Sequence, residues 1–214
     1  MRIPNEAHED RPWRIHEIVP DFTLEDVWAL PAHGRREDFA DVPGTLRSVD
    51  PANADSGVAR ALWRLRDELG RLFDLGRISE PVDADRNRAK RLPIPGTTET
   101  SLAGRLPEDL RGTADDTDFG SLPFEPLYRT DDEFAAEISN KTVHGVLHLA
   151  WAEQGGGRYQ GQMAVYVKPR GGFGEAYMLA IKPFRYLVVY PALMRQIERE
   201  WNSRPSRSPS LEPA

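Results

Sequence analysis

The feature that most limits what this chain can become is its last third, where alternating segments from Phe124 to Lys168 run into one apolar segment, Gly174 to Trp201. Apolar and polar residues alternating at period two mark a half-buried strand. Phe124 to Arg129, Glu133 to Asn140, Val143 to Trp151 and Arg158 to Lys168 all show this pattern. Thr130, Asp131 and Asp132 supply one turn, and Gly155, Gly156 and Gly157 supply another, because glycine tolerates the positive φ of tight hairpins. The closing segment instead places Tyr177, Ile181, Phe184, Val188, Met194, Ile197 and Trp201 at helical intervals. Its interior prolines, Pro183 and Pro191, each cost about 3 kcal/mol in a straight helix. Burying these large apolar side chains at roughly 1.5–3 kcal/mol apiece outweighs both penalties. The segment therefore predicts a helix, bent near Pro183 or Pro191, laid across an antiparallel meander. The fold class is α+β.

The first half is less regular. Trp13 to Val19 is rich in aromatic and β-branched residues and is closed by Pro20, which predicts an opening strand. Thr23 then caps a short helix, with Glu25 and Asp26 in its first turn, Leu24, Val27 and Trp28 as its apolar face, and Pro31 as its end. Ser56 opens a longer helix through Leu72 that stops at Gly76. Residues 77–120 form a long insertion punctuated by Pro81, Pro93, Pro95 and Pro107, with one helical turn near Pro107 to Leu110. Insertions of this length are either functional covers or disordered, and Leu92, Ile94, Leu102 and Leu106 are its apolar residues available to a cavity mouth. Residues 1–202 make one domain with this insertion at about 77–120, and the serine- and proline-rich residues 203–214 are expected to be disordered.

Composition excludes several classes of function. The chain has no cysteine, so disulfides, thiolate metal sites and cysteine nucleophiles are ruled out, and the count is compatible with a cytoplasmic location. A net charge of −6, with both signs spread along the chain, gives no basic field for nucleic acid and no basic amphipathic face for a membrane surface. Met1 to Arg11 is polar and does not resemble a secretory signal, and Leu187 to Met194 is too short to span a bilayer.

Several residue pairs invite a chemical reading. His144 and His148 stand four apart, but their apolar surroundings favour a strand, on which four residues span about 13 Å and joint chelation of one ion is awkward. No metal site is expected, although histidine as a residue type titrates near neutrality, so the face carrying both can place one as an acid or base. Glu133 and Glu137 share one face of their strand, opposite Phe134, Ala136 and Ile138. Paired carboxylates can divide acid and base roles, yet such a pair more often marks the wet side of a sheet, and that side is the expectation here. Gly171 to Gly174 lacks the spacing of a dinucleotide or phosphate loop and is expected to be a turn into the helix. No Gly-x-Ser-x-Gly nucleophile elbow is present. Tyr128, Trp151, Tyr166 and Tyr177 are either pocket-lining aromatics or core and rim aromatics.

Local phrases add a resemblance. Asp21-Phe22 with Val27-Trp28, Tyr128 through Glu133, Thr142-Val143-His144, and Gly174 through Met178 followed by Ile181 through Arg185 together resemble a bacterial family known as domain of unknown function 2867. Where many members have histidine after the phenylalanine of the last phrase, this chain has Arg185. The resemblance implies a START-like, pollen-allergen-like helix-grip (SRPBCC) fold, a curved antiparallel sheet around a long C-terminal helix. With it comes the leading expectation for function: a small apolar or amphipathic molecule bound in a hydrophobic cavity between sheet and C-terminal helix. Trp28, Tyr128, His148, Trp151, Tyr166, Tyr177 and Phe184 are the expected ligand-binding residues, with no cofactor. Two alternatives stand beside it. One is a cyclase- or dehydratase-type enzyme in the same cavity with His148, Tyr166 or Glu133 as acid or base, and the other is an interaction module for an oxidoreductase.

Overall fold

A computed structural model describes residues 1–47, 101–114, 124–139 and 143–204. The helix expected after Ser56, most of the long insertion and the C-terminal tail lie outside the described residues. Strands β1 (Arg2–Ile3), β2 (Thr23–Gly34), β3 (Glu125–Arg129), β4 (Glu133–Ser139), β5 (Val143–Gly155) and β6 (Arg158–Pro169) form one antiparallel sheet in the order β1-β2-β6-β5-β4-β3. The expected meander of the second half is thus present. Its central hairpin turns at Gly155, Gly156 and Gly157, whose φ values of +92°, +64° and +70° suit only glycine. The fold is α+β, and no described helix is long and apolar enough to cross a membrane.

Period-two alternation gives the sheet two buried faces. On one, Leu24, Val27, Tyr128, Ala135, Val146, Ala150, Ala164 and Tyr166 pack beneath the N-terminal helices α1 (Glu6–Glu9) and α2 (Ile15–Ile18) and two 3₁₀ turns, Leu102–Arg105 and Glu108–Leu110. Trp13, Ile15, Ile18, Leu102, Leu106 and Leu110 come down from those segments. The 101–114 part of the insertion is therefore part of the core. On the other face, Leu30, Phe134, Leu147, Leu149, Trp151 and Met163 pack against Phe39, Val42 and Leu46 of a 3₁₀ turn (Arg36–Asp41) and α3 (Val42–Arg47), and against the C-terminal helix.

That helix is divided. Helix α4 (Gly171–Phe184) contains Pro183, a π turn follows over Arg185–Val189, and α5 (Tyr190–Ser203) starts with Pro191 in its first turn. The widened turn between the prolines is the expected interruption, since each proline removes a donor from the regular ladder. Helix α5 carries the apolar seal, with Tyr190, Ile197 and Trp201 buried, whereas Leu179 of α4 and Leu187 of the π turn are exposed.

Two N-terminal expectations are overturned. Trp13 to Val19 is not a strand: Ile15, Ile18 and Val19 sit at helical spacing and are buried by the single turn of α2. Thr23 to Pro31 is not a helix but most of β2. Bulges between Leu24 and Asp26 and between Ala29 and His33 add residues to the strand; the first puts Leu24 and Val27 on the same face although they are three apart, while Leu30 is buried on the other face. The bulged strand imitates a helical period. Pro31 sits inside the second bulge, where no ladder bond is required of it.

Gly34 at the end of β2 supports the following 3₁₀ turn. A Cβ there would overlap the Asp38 carboxylate, with Asp38 Cβ and Cγ both at 2.9 Å. Asp38 accepts a bond from Arg35 N–H at 2.7 Å. Gly34→Ala is expected to expel Asp38 and lower stability by about 1–2 kcal/mol. A urea midpoint unchanged from wild type would show that the carboxylate moves aside without loss.

Candidate active site

The candidate site lies on the sheet face covered by α1 and α2. Glu133 opens β4, His148 lies on β5, and their strands pair with Ala135 opposite His148, so the carboxylate reaches its imidazole diagonally. Glu133 is 3% exposed and His148 is fully buried, which overturns the wet-side expectation for Glu133. Four donors converge on the carboxylate. Tyr128 OH donates at 2.8 Å, Arg14 N–H at 2.9 Å and Ile15 N–H at 3.4 Å, and His148 Nε2 lies at 3.0 Å. The two backbone donors belong to the first turn of α2, which has no capping side chain of its own. Glu133 therefore ties α2 to the sheet.

The row continues beyond His148. Its Nδ1 is 3.3 Å from His8 Nε2, and His8 Nδ1 is 3.1 Å from Gln162 Oε1 on β6. His8 projects from α1 and is fully buried. Four further rings surround it, with centroids 5.3 Å away for His148, 5.9 Å for Trp13, 6.0 Å for His16 and 6.3 Å for Tyr166. Trp13 Nε1, His16 Nε2 and Tyr166 OH are buried without a hydrogen-bond partner among the described residues. Buried polar atoms are almost always paired, so three orphans around one imidazole are unusual.

Electrostatics divide the groups. Burial opposes the charge on Glu133, but the hydrogen bond and charge of His148, the Arg14 N–H and the Tyr128 hydroxyl outweigh it and hold the carboxyl below its usual range. Burial and the neighbouring His148 push His8 down to about 3, against a smaller opposing effect of Gln162. The same two causes lower His16. Tyr128 is raised by burial and by Glu133, and Tyr166 by burial and then Glu9, so both phenols stay protonated. The set comprises a carboxylate, the neutral imidazoles of His8 and His16, the His148 ring between them and the carboxylate, and phenol donors, which suffices for proton transfer.

A second Glu–His pair repeats the pattern four residues along each strand. His144 Nε2 is 2.8 Å from Glu137 Oε2, and Glu137 also accepts from Leu102 N–H at 3.1 Å and from the Ser101 hydroxyl. Both side chains are buried. This pair has its bonds filled by the 101–114 segment and reads as an anchor for it. Among the described residues no group of three or more histidine, aspartate or glutamate side chains is placed to share a metal ion.

The expected ligand-binding residues fall on different faces. Tyr128, His148 and Tyr166 come together in the cluster above. Trp28 and Trp151 lie on the opposite face, Trp28 with its ring 4.7 Å from that of Tyr190, and Trp151 at 5.7 Å from Trp201 with its Nε1 donating to Arg35 O at 2.8 Å. Tyr177 and Phe184 are in α4, and their side chains lie outside the description. Arg185 reaches across to β2, where it donates to Asp26 Oδ2 at 2.9 Å while Tyr190 OH donates to Oδ1 at 2.9 Å. This closed triad joins the π turn to the sheet.

Sequence reasoning missed His8, Trp13, His16 and Gln162. The first three sit in a stretch read as a polar N-terminal segment and a strand, and no local spacing marks them. The Glu–His pairing did leave a signal. Two glutamates and two histidines, each four apart, lie on two consecutive predicted strands, and an antiparallel register places them on one face.

A family model described as a protein of unknown function (DUF2867) matches residues 18–192. The chain belongs to the DUF2867 family. The DUF2867 match takes in Glu133, His148, Gln162, Tyr128 and Tyr166 but begins after His8, Trp13 and His16. No curated protein and no solved structure matches the chain.

Proposed function

We propose that this protein binds a small amphipathic molecule on the N-terminal face of its sheet, over the His8 cluster, rather than between the sheet and the C-terminal helix. The observation that carries this reading is the trio of unpaired buried atoms, Trp13 Nε1, His16 Nε2 and Tyr166 OH, set among the aromatic rings around His8. An indole N–H can only donate, whereas a phenol and a neutral imidazole can donate or accept, so the trio suits a carbonyl or hydroxyl group of the ligand. The surrounding rings and Ile15 and Ile18 suit its apolar part. The layer beneath the C-terminal helix is already filled by Trp151, Trp201, Phe39 and Trp28. A helix-grip architecture belongs to the same reading, supported by the antiparallel sheet and long C-terminal helical segment. The absence of cysteine fits a cytoplasmic location.

A second reading, acid–base catalysis on the bound molecule, is favoured by Glu133 and His148 standing next to the unpaired groups.

Native mass spectrometry of the purified protein is the test. The wild type is expected to retain a small molecule, and Tyr166→Phe and Trp13→Phe are each expected to lose it. Tyr166→Phe removes an unbonded hydroxyl, so its urea stability should stay within about 1 kcal/mol of wild type. A wild type that carries nothing under gentle ionisation, or variants that keep the molecule undiminished, would refute the site.

A further inference from the structure

The geometry points to a proton relay along the row Glu133, His148, His8 and Gln162, in which Gln162 sets the tautomer of both imidazoles and opens the row to a cleft at the sheet edge. The inference rests on taking the His8 cluster as the working site, but its test needs no ligand. The cleft has a volume of about 470 Å³ and is bordered by Ala7 of α1, Arg11 just beyond it, Gln160 and Gln162 of β6, and Met194 of α5, among others. Gln162 thus has one side on this cleft and its Oε1 on His8.

Counting donors leaves two consistent proton arrangements. Glu133 is ionised and surrounded by donors, so His148 carries a proton on Nε2 in both. With Gln162 Oε1 toward His8, as in the structure, His8 must donate from Nδ1. Its Nε2 is then bare and accepts a proton-bearing Nδ1 of His148, making His148 an imidazolium beside the carboxylate. If the Gln162 amide turns over, its NH₂ donates to a bare His8 Nδ1, His8 donates from Nε2, and His148 accepts on Nδ1 as a neutral ring. The two arrangements differ by one proton. A proton arriving from the cleft bonds to His8 Nδ1, the Nε2 proton of His8 moves to His148 Nδ1, and the amide turns. The positive charge ends on His148 next to Glu133, and the reverse sequence returns the proton to the cleft. Other titratable groups facing the row are Glu9 on α1, His16 on α2, Tyr128 on β3 and Tyr166 on β6. None of them bonds to His8, so the tautomer is decided by Gln162 and His148 alone.

Nitrogen-15 NMR of the histidine side chains across a pH titration tests this. In the wild type, His8 should stay neutral but exchange an Nε2 proton for an Nδ1 proton as the row takes up its proton. In Gln162→Glu, a carboxylate accepts the Nδ1 proton at every pH above its own titration, and the exchange should be lost while amide dispersion is retained. If that variant does not fold, His148→Phe serves instead and should leave His8 in one tautomer throughout. A constant His8 tautomer in the wild type, charge appearing on His8 itself, or an exchange that survives Gln162→Glu would overturn the relay. Loss of the ligand result with the exchange intact removes the binding reading alone, and the converse removes only the relay.

Discussion

Glu133→Ala is expected to lower the unfolding free energy by about 3–5 kcal/mol at pH 7, the cost of leaving several buried donors without their shared acceptor. The carboxylate joins β3 through Tyr128, β5 through His148 and α2 through the Arg14 and Ile15 amides. Its loss strands a phenol, an imidazole and two helix-start N–H groups away from water. Glu133→Gln keeps the shape but turns an NH₂ toward donors, so about 2–3 kcal/mol is expected from it. The folded pKa of Glu133 is depressed, so its contribution is complete above the ordinary value of 4.5 and is lost as pH falls through the folded value. The gap between wild type and Glu133→Ala should therefore be larger at pH 7 than at pH 3.5. Urea titrations at pH 7 and pH 3.5, followed by tryptophan fluorescence, check this. A cost under 1 kcal/mol at pH 7, or one independent of pH, would mean that Glu133 is not the tie between α2 and the sheet.

His8 should make the protein acid-labile over a different window. Its folded pKa is about 3 against an ordinary 6.5, so the native state refuses a proton that the unfolded chain accepts. Stability from this group is complete above pH 6.5 and falls by about 1.4 kcal/mol per pH unit down to about pH 3, on the order of 5 kcal/mol in all. His8→Gln should cost about 1–2 kcal/mol at pH 7 through the lost bond to His148, yet lack this slope. The two stability curves are expected to cross near pH 5. Parallel curves between pH 7 and 4 would show that the folded protein accepts a charge on His8 itself, and the buried row would have to be redrawn.

How much of this was legible beforehand depends on the range of the interaction that decides it. The β3 to β6 meander and its glycine turn were legible because alternation and positive-φ glycines act over a few residues. The helical segment between Gly174 and Trp201 was legible for the same reason, with its prolines marking the π turn. Strand β2 was not, because one bulge puts Leu24 and Val27 on the same face while Leu30 is buried on the other, and bulges are set by the partner strand. Glu133 was identified but put in water. A glutamate on a strand is usually solvated, and only α2 packing over it removes that option.

The sequence by itself determined the α+β class, the hairpin turns, the family and the exclusion of thiol chemistry, since each follows from local pattern or composition. Tertiary structure alone decided which face holds the cluster. His8 and His148 are 140 positions apart, and His8 and Gln162 are 154 apart. Their meeting depends on where α1 settles against the completed sheet, and no periodicity within either segment encodes that placement. The same closure divides Tyr128, His148 and Tyr166 from Trp28 and Trp151, because successive residues of a strand point to opposite sides and both sides of this sheet are covered.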